Sequence, residues 1–243
     1  MMNKERTFNI HNKDYYIEGT LYKANKLTLQ ANDVYCLVGC NGIGKSTVLY
    51  QMIHDNDNSL KKTAYDLKDD YNAFSNLFNS KKKNEYNEFY ISINKDTKLN
   101  VKDDDSILHN LFGNFMSTGE QNVHNILPNL PNIIESLNKL EKLENKELYV
   151  MIDDLDVGVS IDVLIELAKI IDKLELKLKK LNINYYIVIT ANSYELARRF
   201  KCIDVINMKE ISFKDYDDYA NYVSETRKYK DTRNKKEELE NDK

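Results

Sequence analysis

A glycine-rich loop between an apolar segment and a helix-like segment constrains the fold of this chain most strongly. From Gly39 to Thr47 it reads Gly-Cys-Asn-Gly-Ile-Gly-Lys-Ser-Thr, with the spacing G-x-x-x-x-G-K-S. The preceding residues 34–38 are short, apolar and partly β-branched, as a buried strand should be. Glycines let successive backbone N–H groups converge on phosphate oxygens, and the following helix directs its positive end to the same place. The pattern therefore predicts a phosphate-binding loop between a strand and a helix.

The side chains that end this loop predict contacts to a nucleotide and to Mg²⁺. Lys45 is placed to reach β- and γ-phosphates, Ser46 offers its hydroxyl to Mg²⁺, and Thr47 follows in the first helical turn. The predicted nucleotide-binding residues of the loop are Gly39, Asn41, Gly42, Gly44, Lys45, Ser46 and Thr47.

A second apolar segment, residues 148–152, ends in the carboxylate pair Asp153 and Asp154. Open α/β sheets bind ligands at the carboxyl ends of their strands, which is where this pair would lie. We expect Asp153 to hold Mg²⁺ through water and Asp154 to polarise the attacking water. Ser46 and Asp153 are thus the predicted metal-site residues.

The other segments alternate between strand-like and helix-like patterns, which predicts an α/β fold with a mostly parallel central sheet. Antiparallel strands are expected first, at 8–17 and 22–29, and a small helical lobe is expected within 61–130. The remaining predicted strands are 88–93, 185–190 and 202–208, and the predicted helices are 161–181, 194–200 and 214–241. We expect Asn192 or Ser193 to cap the second of these helices and the third, polar helix to fray.

Residues 115–121, Phe-Met-Ser-Thr-Gly-Glu-Gln, contain a capping box formed by Ser117 and Glu120. A capped helix N-terminus that also contains Gly119 is an anion site in its own right. Pro128 and Pro131 are expected to divide the helix that follows.

Length and composition narrow the range of functions. A chain of 243 residues suits a single domain over 1–243, with a C-terminal helix within 211–243. The formal net charge is −4 with both signs interleaved, so nucleic acid is expected to bind only through a partner. The three cysteines lack metal-ligand spacing, and the sequence contains neither a signal-like segment nor a long apolar run. We therefore expect a cytoplasmic protein without a membrane span.

Taken together, these motifs resemble those of ABC-type ATPases, in particular the small soluble kind related to SMC, RecF and bacterial or phage defence ATPases. The glycine-rich loop has the form G-x-N-G-x-G-K-S-T, residues 117–121 resemble the signature motif, and residues 152–160 resemble the Walker B segment and D-loop. The resemblance spans about 22–208. It implies ATP and Mg²⁺ as ligands and a head-to-tail homodimer, in which Lys45 of one subunit and Ser117 with Gly119 of the other meet one γ-phosphate. Glu120 belongs to the same predicted nucleotide contact.

This chain departs from the family at two positions. Asp154 stands where a catalytic glutamate is usual, and Asn192 stands where a switch histidine is usual. Lys45, Asp154 and Asn192 are the predicted catalytic residues, and the departures predict slow or partner-dependent turnover. Tyr15 or Tyr16 could stack under an adenine, and Asn94 is a candidate for the loop residue that contacts Mg²⁺.

Three functions stay open from the sequence. The first is an ATP-hydrolysing switch whose dimerisation drives an effector protein, such as a nuclease, toxin or DNA-processing subunit. The second is the ATP-binding subunit of a membrane transporter, and the third is an ATP sensor or scaffold that does not hydrolyse.

Overall fold

The computed structural model describes residues 4–11, 22–53, 88–93, 147–156, 158–180 and 184–241. In chain order its elements are β1 (Glu5–Asn9), β2 (Lys26–Gln30), β3 (Asp33–Val38), α1 (Lys45–Ile53), β4 (Glu88–Ile93), β5 (Glu147–Ile152), α2 (Ile161–Lys180), β6 (Asn184–Thr190), α3 (Tyr194–Ala197), β7 (Lys201–Asp204), β8 (Lys209–Ile211) and α4 (Tyr216–Asn241).

The central sheet has six strands in the order β4-β5-β6-β3-β7-β8. All neighbouring pairs are parallel except β7 and β8, which run antiparallel. Strands β1 and β2 form a separate antiparallel pair in which Phe8 lies opposite Leu27. The predicted α/β fold class, with a mostly parallel sheet and N-terminal antiparallel strands, is confirmed.

The position of β6 matters most for the site. It lies between β3, which leads into the glycine-rich loop, and β5, which leads into the carboxylate pair. Parallel pairing places the carboxyl ends of these three strands along one edge, so Thr190 of β6 lies between the loop and Asp153. Segments far apart in sequence thereby meet at one edge of the sheet.

The core forms on both faces of the sheet, and β3 shows the period of two that this requires. Val34 and Cys36 pack into the cluster beneath α2, whereas Tyr35 and Leu37 pack with β1, β2 and α1. Each buried aliphatic side chain of this kind contributes about 1.5–3 kcal/mol relative to exposure. Because β3 is anchored on both faces, the loop that follows it starts from a rigid point.

Some predicted boundaries need correction. A strand over 202–208 is wrong, because the chain turns after Asp204 and returns as β8. The Asp204 carboxylate accepts the Ile206 N–H at 2.9 Å, and the backbone carbonyl of Asp204 accepts the Met208 N–H at 2.8 Å. Such a local side-chain bond competes with sheet pairing and ends the strand.

Other boundaries shift by smaller amounts. Strand β1 covers residues 5–9, and the rest of the predicted strand, beyond residue 11, lies outside the described part of the chain. Strand β2 begins at Lys26 rather than residue 22. Helix α3 ends at Ala197, and Ser193 is its N-cap. Of the predicted lobe over 61–130, only β4 is described.

Helix α4 follows the predicted span closely, and its first half packs against the rest of the protein. Tyr219 and Thr226 are buried, and Tyr222 is half-buried. The polar sequence of α4 therefore contains a stripe of side chains that packs against the rest of the protein, and the fraying stays a prediction. None of the helices in the described ranges has the length and apolar character needed to cross a membrane.

Candidate nucleotide-binding site

The glycine-rich loop joins β3 to α1, as predicted, and its backbone requires glycine. Gly44 has φ +108°, and a Cβ there would lie 2.4 Å from the Tyr22 hydroxyl oxygen. That hydroxyl donates to the Gly44 carbonyl at 2.9 Å. The fully buried Tyr22 thus supports the loop from below, and any side chain at position 44 would displace it.

Lys45 is largely buried at the end of this loop, with 7% of its surface exposed. Its ammonium donates to the carbonyls of Gly39 at 3.0 Å and Cys40 at 3.2 Å, and to Asn192 Oδ1 at 2.7 Å. Burial lowers the pKa of Lys45, although the negative charge of Asp156 opposes this. A phosphate group at the loop would stabilise the same ammonium by charge pairing.

Ser46 and Asp153 meet as the predicted metal site requires. Ser46 Oγ lies 2.9 Å from Asp153 Oδ1, although 107 positions separate the two residues. Asp153 is buried, and the hydroxyls of Thr190 and Tyr50 also donate to it, at 2.6 and 3.0 Å. Three hydroxyls thus surround this carboxylate, and both of its oxygens accept hydrogen bonds.

The chemistry of this oxygen set fits Mg²⁺. Mg²⁺ is usually held by one or two carboxylates, substrate phosphates and waters rather than by a full cage of protein ligands. In the described ranges no group of three or more His, Cys, Asp or Glu residues forms a metal cage. One hydroxyl and one carboxylate beside a phosphate-binding loop are what a magnesium–nucleotide site needs from the protein.

Asp154 follows directly in an uncommon conformation. Its φ is +54°, a left-handed value that aspartate adopts more readily than most residues. Its N–H donates to Thr190 Oγ1 at 2.8 Å. The Thr190 hydroxyl therefore joins both aspartates, because it donates to Asp153 and accepts from Asp154.

Asn192 completes the group, with its side-chain oxygen directed at Lys45. Its side-chain amide donates to Asp156 Oδ1 at 3.5 Å, and its backbone N–H donates to Asp156 Oδ2 at 2.6 Å. Asp156 also accepts the Ser193 N–H at 2.5 Å. The segment after β6 is therefore anchored to the segment after β5.

The structure brings five predicted residues together and leaves others outside its described part. The five are Lys45, Ser46, Asp153, Asp154 and Asn192. Predicted residues that lie outside the described ranges are Tyr15, Tyr16, Asn94, Ser117, Gly119 and Glu120. The roles of all these residues stay predictions.

Sequence reasoning missed three polar side chains of this site. They are Tyr50, Asp156 and Thr190. Thr190 could have been found, because a threonine that ends an apolar strand at the ligand-binding edge is a candidate for the site. Tyr50 could not, since it depends on the rotation of α1 against β5.

We expect Asp153→Asn to remove the dependence of ATP binding on Mg²⁺. The amide nitrogen takes the place of one carboxylate oxygen and cannot accept a hydroxyl hydrogen there. It would face either Tyr50 or both Ser46 and Thr190, and those hydroxyls would lose their acceptor. The mismatch should also cost about 1–3 kcal/mol in the free energy of unfolding. Calorimetric titration with ATP at several Mg²⁺ concentrations, together with urea unfolding, would measure both effects. An undiminished Mg²⁺ dependence would contradict the predicted metal site.

Comparisons with known proteins found similar solved structures only. No family model matches the chain, and no curated protein matches it. Among solved structures, an ATP-binding cassette of an ABC transporter shows 13% identity and a TM-score of 0.43, covering 92% of this chain and 96% of its own. The cbiO1 component of an ABC transporter complex from Clostridium perfringens shows 13% identity, a TM-score of 0.40 and coverage of 84% and 86%.

A third similar structure is a KaiC-like protein from Pyrococcus horikoshii, with 13% identity, a TM-score of 0.37 and coverage of 79% and 73%. These likenesses concern the fold alone. The parallel sheet, the loop after β3 and the helix that follows it define an α/β protein with the fold of P-loop nucleoside triphosphatases. The predicted fold is therefore confirmed, whereas the resemblance to ABC-type ATPases stays a prediction.

Proposed function

We propose that this protein binds MgATP and hydrolyses it to ADP and phosphate as an ABC-type ATPase. The observation that carries the proposal is the 2.9 Å contact between Ser46 Oγ and Asp153 Oδ1, beside the buried Lys45. Topology alone brings these side chains together, in the arrangement that a magnesium–triphosphate complex requires.

Each residue has a distinct task in this proposal. The Lys45 ammonium exchanges its carbonyl partners for phosphate oxygens and offsets the charge that develops on them. Ser46 and Asp153 hold Mg²⁺, which when bound supplies charge neutralisation between the phosphates. Asp154 orients the attacking water and accepts its proton, and the bond to Thr190 fixes the backbone of Asp154.

The remaining parts of the proposal concern assembly and rest on the motif resemblance. Two copies associate head to tail around two ATP molecules, and Ser117, Gly119 and Glu120 of one copy complete the site of the other. Hydrolysis separates the copies, and this change drives an effector protein in the cytoplasm, in DNA processing or defence. The loop tip at Asn41 and Gly42 is exposed, which leaves it accessible to a second subunit.

A second candidate function is an ATP sensor that does not hydrolyse. The observation in its favour is the orientation of Asn192, whose side-chain oxygen meets Lys45 while its amide group faces Asp156. To donate to a γ-phosphate, this amide must rotate and release Asp156.

The deciding measurement is phosphate release per subunit as a function of protein concentration, with Lys45→Met as the blank. We expect a turnover number that rises with concentration, because the site is complete only in the dimer. A rate equal to the blank, together with clear MgATP binding by calorimetry, would favour the sensor. Absence of MgATP binding would refute both functions.

A further inference from the structure

One face of the C-terminal helix α4 runs along the nucleotide site. Tyr219, Tyr222, Thr226 and Lys230 recur at intervals of three, four and four, which places them on one side of the helix. Each of these side chains bonds to the backbone of a site segment. The sequence alone did not indicate this face, because Thr226 and Lys230 are polar and the helix carries many charged residues.

Three of these bonds reach the glycine-rich loop and the strand end before it. The Tyr222 hydroxyl lies 3.1 Å from the Val38 carbonyl and 3.0 Å from Asp204 Oδ1, so its one hydrogen is shared between these two acceptors. The Cys40 N–H donates to Thr226 Oγ1 at 2.9 Å, and Lys230 Nζ donates to the Asn41 carbonyl at 3.0 Å. We call Tyr222, Thr226 and Lys230 the loop strap.

Thr226 is the central contact and is buried, with 2% of its surface exposed. Its hydroxyl donates to the Val223 carbonyl at 2.8 Å within α4 while it accepts the Cys40 N–H. Cys40 is also 2% exposed, so solvent cannot readily replace the threonine oxygen. Loss of this oxygen would leave a buried N–H without its acceptor.

Lys230 fits closely against the exposed loop tip. A Cβ on Gly42, whose φ is +72°, would lie 2.5 Å from Lys230 Nζ. The lysine thus occupies the space that a side chain at position 42 would need, and it binds the neighbouring carbonyl of Asn41. A bond to this carbonyl restricts rotation of the peptide group between Asn41 and Gly42, within the segment whose N–H groups would meet a phosphate.

The same helix also contacts the segment after β6. The Tyr219 hydroxyl donates to the Asn192 carbonyl at 2.6 Å, and the Asn192 side chain bonds the Lys45 ammonium. Burial raises the pKa of Tyr219 above its ordinary value, so this hydroxyl stays protonated and remains a donor. Cys40 and Asn192, which both contact the Lys45 ammonium, are therefore each bonded to α4.

We propose that Thr226 and Lys230 are positioning residues of the nucleotide site, and that α4 sets ATP affinity by holding residues 38–42 in their phosphate-binding shape. The proposal rests on the proposed function for its ligand, ATP. The proposal assigns α4 a role beyond packing. It follows that a partner which displaced this helix would also release the loop.

The test compares substitutions within α4 at a position that contacts the loop and at a position that does not. Thr226→Val removes the acceptor at nearly constant volume, and Thr226→Ser retains it. Thr232→Val is the matched control, because Thr232 is exposed and its hydroxyl donates to the Lys228 carbonyl within α4. By calorimetry we expect Thr226→Val to weaken MgATP binding about tenfold, as for one lost buried hydrogen bond. Thr226→Ser and Thr232→Val should bind like wild type.

Lys230→Met provides a second variant in case Thr226→Val does not fold, with the exposed Lys228→Met as its control. We expect a several-fold loss of MgATP affinity for the former and none for the latter. A lower melting temperature with unchanged MgATP affinity in both strap variants would overturn the proposal, since α4 would then only stabilise the fold.

Hydrogen exchange without ATP separates this proposal from the proposed function. Backbone N–H groups of residues 39–44 should exchange about tenfold faster in Thr226→Val than in wild type or Thr232→Val. Faster exchange would support the strap even if the wild-type protein bound no ATP. Equal exchange rates would overturn it, whatever the ATPase assay shows.

Discussion

Lys45→Met should reduce MgATP affinity at least about a hundredfold and bring phosphate release to background. The buried ammonium lies among two loop carbonyls and Asn192 Oδ1, where a triphosphate would replace neutral acceptors with charged ones. Methionine retains the apolar stem but offers no donor to the phosphate oxygens. Calorimetry with MgATP and a phosphate-release assay would measure the two effects.

The fold of this variant should survive, which makes the comparison informative. Burial lowers the pKa of Lys45, so its charged form is costly in the folded protein and methionine removes that cost. The loss of donors to the Gly39 and Cys40 carbonyls acts in the opposite direction. We expect a small change in melting temperature, and wild-type behaviour from the exposed control Lys173→Ala. Retained MgATP binding in Lys45→Met would refute the phosphate-binding role of the loop.

Local sequence patterns correctly predicted two strands of the central sheet and the long helix α2. The strand at 34–38, the strand at 88–93 and the helix at 161–181 all match the structure to within one residue at each end. Each has an apolar pattern that agrees with its final environment, so sequence and tertiary structure favour the same conformation. The strand at 202–208 failed because the Asp204 side chain, rather than hydrophobicity, decides where β7 ends.

The parts of the site that sequence did not reveal are those created by tertiary contact. Nothing local to Thr226 indicates that its hydroxyl accepts an N–H from Cys40, 186 positions away. The polar sequence of α4 predicted a helix that frays, whereas Tyr219 and Thr226 are buried against the sheet and the loop. Motif spacing identifies residues that bind a ligand, but residues that hold those motifs in place follow from topology.

Asp154→Asn should lower the turnover number about a hundredfold or more while MgATP affinity stays near that of wild type. Asparagine has the same shape, tolerates the φ of +54° at this position and retains the backbone N–H that donates to Thr190. The substitution therefore removes the ability to accept a proton and little else. Asp217→Asn, at an exposed position on α4, is the matched control and should leave turnover unchanged.

The two measured quantities distinguish chemistry from binding at this position. A fall in turnover with constant MgATP affinity would assign Asp154 to the attack of water, since only the transition state would lose an interaction. Turnover within twofold of wild type would place the base elsewhere. A parallel loss of MgATP affinity would mean that Asp154 acts on the ground state, through the Thr190 hydroxyl that it shares with Asp153.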